Sequence, residues 1–242
     1  MTKTYLLIIW GLAAGYLIAH YLFFHLRLVL FKGQKRKPMR QGVSVIICAC
    51  NEAENLRNHL PAILDQDFRK FEVIVVNDGS TDQTAEALKE LKKKSRRLKV
   101  VEVSPEKAEL NPGKKYALTA GILKARNRFL LHTDADCEPA SNNWLKSMAS
   151  HFRTRDVVLG YSPYRPVKGF TSHLTEWETL LTAQQYFSFS LAGLPYMGVG
   201  RNLGYAKGLF FNSTQFRKHL HLASGDDDLL IGERARASEY SY

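Results

Sequence analysis

Between residues 43 and 132 the sequence alternates short apolar runs with amphipathic stretches, and this alternation narrows the fold more than any other feature. The runs 43–49, 72–77, 98–103 and 128–132 read as strands. The stretches 53–64, 81–94 and 114–125 between them read as helices. Strands separated by helices imply βαβ units, right-handed crossovers and a mostly parallel sheet flanked by helices, an α/β architecture of the Rossmann-like kind. Three of the strands run out into polar groups: Asn51 and Glu52 after the first, Asn77 and Asp78 after the second, Asp134 and Asp136 after the fourth. In open α/β sheets that carboxyl edge is where ligands bind.

Local chemistry sets the expected element ends. Ser80 or Thr81 stands where an N-cap belongs, with Asp82 in the first turn suiting the helix dipole. Pro61, inside the first helical stretch, predicts a kink or an early stop. Beyond residue 141 the pattern changes to a helix over 142–152, a strand over 157–161 and a long aromatic-rich helix over 171–192. Trp177, Tyr186 and Phe187 in that helix are expected in a core. The glycine-rich loop 198–204 precedes an expected strand at 205–211. It is not a dinucleotide fingerprint, because it neither opens a helix nor belongs to a first βαβ unit.

Charge is distributed unevenly. Residues 1–40 hold seven Lys or Arg and no acid, so of the formal +11 only +4 remains for the other 202 residues. A nucleic-acid binder would carry its basic stripe on the folded domain, interleaved with aromatics. The one such run, Lys92 to Lys99, follows a helical stretch and reads as a solvated helix end, so no nucleic-acid partner is expected. Tyr5 to Phe24 is apolar over twenty residues, enough for the hydrocarbon core of a bilayer. Lys32, Lys35, Arg36, Lys37 and Arg40 follow it, against Lys3 alone before it. The positive-inside rule then predicts a single-pass cell-membrane protein with the rest of the chain in the cytoplasm. The basic segment also suits anionic headgroups. The competing reading, a cleaved signal peptide, fits less well, because the positive charge lies after the apolar core and no small-x-small site precedes it. The expected organisation is an anchor over 1–31, a basic linker over 32–41 and a catalytic domain over 42–242. Cys48, Cys50 and Cys137 form neither a disulfide framework nor a zinc spacing, and are expected as reduced thiols.

Asp134 and Asp136 carry the most chemistry. Two carboxylates one residue apart at a strand end offer the hard oxygen ligands that Mg²⁺ or Mn²⁺ prefers, and such ions usually also hold substrate phosphates. Asp-x-Asp alone also occurs in surface turns. Its weight comes from the acids at the neighbouring strand ends and from a further cluster, Asp226, Asp227 and Asp228. Crowded like charges there favour a raised pKa in at least one member, as a general base requires, although the same residues could equally cap a helix starting at Leu229.

Four motifs taken in order resemble the family 2 glycosyltransferases of GT-A type fold: VSVIICACNEAENL from Val43, VIVVNDGSTD from Val73, Asp134-Ala135-Asp136, and GDDDLL from Gly225. Asn111-Pro-Gly-Lys-Lys-Tyr-Ala-Leu118 and Gly200-Arg-Asn-Leu203 fit as weaker elements. The resemblance covers about residues 42–231. It implies transfer of a sugar from a UDP- or GDP-sugar donor to a hydroxyl acceptor, with inversion and a divalent Mg²⁺ or Mn²⁺. Carried over, it implies that Ala49, Asn51, Glu52, Asp78, Gly113, Lys114, Lys115 and Asp134 line the nucleotide-sugar pocket. Asp136, with Asp134, would hold the metal. Asp227 is implied as the base, with Asp226 and Asp228 left open, and Arg201 and Asn202 would lie on the acceptor side. The anchor points to a glycan or lipid-linked acceptor of the cell envelope. The family usually continues further past the GDDDLL motif than the twelve residues found after Leu230, so truncation, or a protein partner completing the C-terminal part, is an expectation. The alternatives are a donor-binding but inactive scaffold, and a nucleotidyltransferase. The latter should carry a phosphate loop where Ala49-Cys-Asn-Glu52 stands.

Overall fold

The computed structural model describes residues 2–32, 39–110, 113–212 and 231–232. Its helices and strands run α1 (Thr2–Leu30), β1 (Val43–Ala49), α2 (Ala53–Leu64), β2 (Phe71–Asp78), α3 (Thr84–Lys94), β3 (Leu98–Val103), α4 (Pro105–Leu110), α5 (Lys114–Lys124), β4 (Phe129–His132), α6 (Trp144–His151), β5 (Val157–Leu159), α7 (Phe170–Leu191), β6 (Leu203–Ala206) and α8 (Lys207–Asn212). They fall into two compact units. One joins residues 1–34 with 163–197; the other holds 35–162 and 198–233.

The second unit is built on one six-stranded sheet of order β3-β2-β1-β4-β6-β5. Strands β1 to β4 are mutually parallel where they pair, and β6 runs antiparallel between β4 and β5. The chain builds outward from β1 through β2 to β3, then crosses back to put β4 on the other side of β1. The carboxyl ends of β1 and β4 therefore flank the switch point, the crevice where such sheets bind ligands.

Both faces of the sheet are covered, which is why its strands are apolar at nearly every position. On one face Val45, Ile47, Val73, Val75 and Leu131 pack with Leu56, Leu60 and Ile63 of α2, Leu88 and Leu91 of α3, and Leu145 and Met148 of α6. On the other, Ile46, Ile74 and Leu130 pack with Leu118 and Ile122 of α5 and Phe210 of α8, and Ile231 joins this cluster. Helix α5 lies close to the sheet because of Gly121: a Cβ there would stand 2.9 Å from Ile46 Cγ2 and Val76 Cγ2.

Several local expectations change. The strand expected over 205–211 is β6, which ends at Ala206 and gives way to α8. Its partner β4 has only four residues, and the last pairing is Phe129 with Ala206, so nothing remains to pair with beyond it. Lys207 instead donates its N–H to the Arg128 carbonyl and its ammonium to the Ala125 carbonyl, turning the chain into the helix. Helix α3 starts at Thr84, later than the expected cap, because the Asp82 carboxylate takes the Thr84 N–H at 2.9 Å. Helix α2 runs through Pro61 to Leu64, where the Asp65 N–H still reaches the Pro61 carbonyl. Helix α4, unforeseen, has Pro105 in its first turn after Ser104, a start that the Ser-Pro-Glu sequence allows. In α7 the expected core aromatics divide: Tyr186 is buried, whereas Trp177 is 58% exposed.

Candidate functional site

The candidate site lies wholly in the second unit, along the carboxyl ends of β1, β2 and β4. Two loops are latched together there. Asn51 follows β1 in the left-handed region (φ 58°), a conformation Asn tolerates better than most side chains. Its carboxamide oxygen accepts from the N–H groups of Thr81 (2.8 Å) and Asp82 (3.3 Å), and its own N–H donates to Ser80 Oγ at 2.9 Å. The Glu52 N–H donates to Thr84 Oγ1 at 2.9 Å and the Ala53 N–H to Asp82 Oδ2 at 3.3 Å. The turns after β1 and β2 are thus joined side by side, and the Glu52 carboxylate is held by the Asn55 amide at 2.6 Å. Ala49, expected to line the pocket, is instead buried in the hydrophobic core at the end of β1.

Asp78 ends β2. Its Oδ1 is buried and takes no hydrogen bond from any described residue, and burial pushes its carboxyl above the usual range. An acceptor removed from water and left without a donor costs free energy unless something supplies an N–H or O–H. The next residue, Gly79, turns the chain at φ 64°, and a Cβ there would stand 2.7 Å from Ala108 Cβ.

Across the crevice, Gly113 (φ 94°) opens α5. Of the two adjacent lysines, Lys114 makes an ion pair with Asp134, both side chains being partly exposed. Lys115 is turned into the interior and buried. Asp136 is exposed on the turn after β4. Asp134, Asp136 and Cys137 each offer one ligand atom, and these atoms lie within 4.8 Å of one another. Two carboxylate oxygens at that separation fit the expected hard divalent cation. Burial, then the Asp136 charge, pushes the Cys137 thiol up, so the third atom is a neutral and weaker donor. Cys137 escaped the sequence reading, where it was taken only as a reduced thiol; its adjacency to the Asp-x-Asp pair was the available signal.

His132, at the end of β4, was also missed. Burial and the nearby Lys114 charge lower its pKa to about 3, so it stays neutral while stacking on Tyr205 at 4.7 Å. The edge as a whole is acidic. Cys50, exposed between the latched loops, has its thiol pushed up by burial and then by the charges of Asp78, Asp82 and Glu52. An anionic ligand entering here meets more carboxylates than cations, so a bridging cation would have electrostatic work to do.

The remaining expected residues are placed differently. Arg201 and Asn202 form a short 3₁₀ turn before β6. The Asn202 amide is spent internally: it accepts from Trp144 Nε1 (3.1 Å), donates to the Tyr161 carbonyl (2.9 Å), and its backbone carbonyl takes the Gly160 N–H (2.8 Å). These bonds end β5 at Leu159, short of the expected 161. Asp226, Asp227 and Asp228 lie outside the described residues, as do Asn111 and the linker lysines Lys35 and Lys37.

The family model described as "Glycosyl transferase family 2" matches residues 44–212. The chain belongs to this family. Among curated relatives, it is 34% identical over 110 residues to the poly-beta-1,6-N-acetyl-D-glucosamine synthase of Staphylococcus epidermidis, covering 46% of this chain and 25% of the relative. It is 30% identical over 178 residues to the 4,4'-diaponeurosporenoate glycosyltransferase of Staphylococcus haemolyticus, covering 72% and 46%. The family 2 chain thus spans less than half the length of either relative. Among solved structures, the mannosyltransferase PcManGT from Pyrobaculum calidifontis, in complex with GDP-Man and Mn2+, superposes with a TM-score of 0.64 at 21% identity, covering 93% of this chain and 61% of that one. TarS 1-349 of S. aureus, in complex with UDP-GlcNAc, gives 0.55 at 21%, covering 78% and 52%. At these identities the superpositions establish a shared fold.

Proposed function

We propose that this family 2 member transfers a sugar, with inversion, from a nucleoside-diphosphate donor to a hydroxyl of a glycan or lipid-linked acceptor at a membrane. The observation that carries the reading is the buried Asp78 Oδ1, without a donor among the described residues, together with the Lys114–Asp134 pair and Asp136 on the same sheet edge. A nucleobase N–H is the kind of group that would satisfy Asp78. Lys114 would then lie near the diphosphate, and Asn51, Glu52 and Gly113 would shape the walls. The structural neighbours in complex with GDP-Man and UDP-GlcNAc support a nucleotide sugar at such a site. Asp134 and Asp136 would hold a divalent cation, Mn²⁺ or Mg²⁺, which would neutralise the diphosphate as it leaves. Asp227, with Asp226 and Asp228 as alternatives, is assigned the proton of the attacking hydroxyl, a base within hydrogen-bond reach being a requirement of a single displacement. A relative named for making a polysaccharide supports a glycan acceptor. Among the described residues one helix, α1, is long and apolar enough to cross a membrane, and it supports the membrane setting.

Calorimetric titration of UDP and of GDP into the protein, with and without Mn²⁺, tests the donor site. Saturable, Mn²⁺-dependent binding of one nucleotide, lost in Asp136→Ala, is the expected result. Equal binding by Asp136→Ala and the parent would remove the metal assignment. Binding of neither nucleotide by folded protein would remove the donor site.

A further inference from the structure

Helix α7 carries a stripe of apolar side chains that no described residue of its own unit covers. Phe170 is 83% exposed, Leu174 45%, Trp177 58% and Leu180 53%. Their spacings of four, three and three residues put them on one side of a helix. The hydroxyls of Thr175 and Thr179 bond back to carbonyls of the same helix, and Ser172 donates to Glu176 one turn on. Leaving an indole, a phenyl ring and two leucines in water forgoes the favourable free energy of burying them.

The other end of α7 packs against α1. Phe189 stacks on Phe24 of α1 with ring centroids 4.1 Å apart, and Ser188 Oγ lies 3.3 Å from His25 Nδ1. Helix α1 is itself apolar and exposed along most of its length. The two helices therefore share a contact and expose apolar surface of the same kind. Arg165 and Lys168 immediately precede the stripe, where cations suit anionic headgroups. A helix with one apolar face that includes Trp, basic residues at its end and polar groups elsewhere is the type that lies in a bilayer interface.

We propose that α7 is a second membrane-contacting element, lying in the headgroup–acyl boundary with Phe170, Leu174, Trp177 and Leu180 directed into the lipid. The inference rests on the reading of α1 as a membrane helix. It bears on function through chain connectivity. The segment that contains α7 leaves the sheet-bearing unit beyond the carboxyl end of β5 and returns just before β6. Because β6 is antiparallel to β4 and β5, both attachment points lie at the edge that carries Asp78 and Asp134. The chain thus both enters and leaves the α7 segment from the edge that carries the candidate site.

The chain has three tryptophans, Trp10 on α1, Trp144 in the sheet-bearing unit and Trp177 on α7, which makes the proposal testable in the full-length protein. The protein, Trp10→Phe and Trp177→Phe would be reconstituted into phosphatidylcholine–phosphatidylglycerol vesicles with and without brominated acyl chains, and the indole emission compared. In the parent, quenching by bromolipid is expected from both Trp10 and Trp177. Trp177→Phe should lose roughly half of the quenchable emission, and Trp10→Phe should keep the other half. Quenching that survives in Trp177→Phe but vanishes in Trp10→Phe would overturn the proposal while leaving α1 in the membrane. No quenching in any form would overturn both. An unquenched Trp177 together with a concentration-dependent dimer in detergent would assign the stripe to a second copy of the chain.

Discussion

The two ends of β2 each carry a carboxylate, six residues apart and on the same face of the strand, and the fold treats them in opposite ways. Glu72, at the amino end, is 2% exposed and fully engaged. Ser44 Oγ and the Arg126 N–H each reach it at 2.7 Å, Arg126 Nε at 3.0 Å and Lys99 Nζ at 2.7 Å. Those donors outweigh the cost of burial and lower its pKa to about 2. Asp78, at the carboxyl end, keeps a buried oxygen without a donor among the described residues, and burial raises its pKa. One carboxylate serves stability. The other holds back a hydrogen bond that stability would have used, as the proposed donor site requires.

The contrast is open to attack at both ends. The largest effect is expected from Glu72→Ala, which leaves Ser44 and the Arg126 N–H facing a void. Unfolding in urea should show a loss of about 3 kcal/mol, with nucleotide affinity unchanged in the fraction that folds. A loss below about 0.5 kcal/mol would mean that Lys99 and Arg126, both reaching solvent, gain as much from water as from the carboxylate. Next comes Asp78→Asn, which should weaken nucleotide binding about tenfold, a hydrogen bond's worth, while raising the thermal midpoint. A variant that is less stable and binds as before would show Asp78 to be structural.

Acid titration should separate the two groups by sign. A carboxylate depressed from 4.5 to about 2 contributes stability that is complete above pH 4.5 and disappears as pH falls toward 2. Asp78, raised from 3.8, works the other way: its charge is a burden at neutral pH, relieved as pH falls through its folded pKa. The stability advantage of Asp78→Asn should therefore be full at pH 7 and absent below 3.8. An advantage independent of pH would assign it to packing. The smallest effect is expected at Asn51. Asn51→Gly keeps the left-handed turn and loses the carboxamide bonds, at about 1 kcal/mol. Asn51→Ala loses both and should be the worse of the two by chemical denaturation.

Much of the sheet was legible because its strands are covered on both faces, so β1 to β4 stand out as apolar runs with polar ends. Legibility failed where pairing partners set the limits. The end of β6 depends on the length of β4, and the end of β5 depends on the Asn202 amide, neither of which is local in sequence. The candidate site divides in the same way. Asp78, Asp134 and Asp136 were legible as acids at strand ends, whereas the fate of Lys115 depended on which side of α5 faces the sheet, and two adjacent lysines do not reveal that. Asn202, expected on the acceptor side, has its amide committed to Trp144 and Tyr161. Cys137 was legible only as a reduced thiol and His132 drew no attention, because a thiol and an imidazole acquire meaning here only from neighbours brought in by folding.

The carboxamide of Asn51 has one more consequence. By gripping the turn after β2 from the turn after β1, it fixes the separation of two walls of the crevice when the chain folds, before any ligand arrives. Ordering of those walls is then complete ahead of recognition. Donor capture at this end of the crevice should behave kinetically as docking into a finished mould, with an association rate set by diffusion and charge and little dependence on solvent viscosity beyond that.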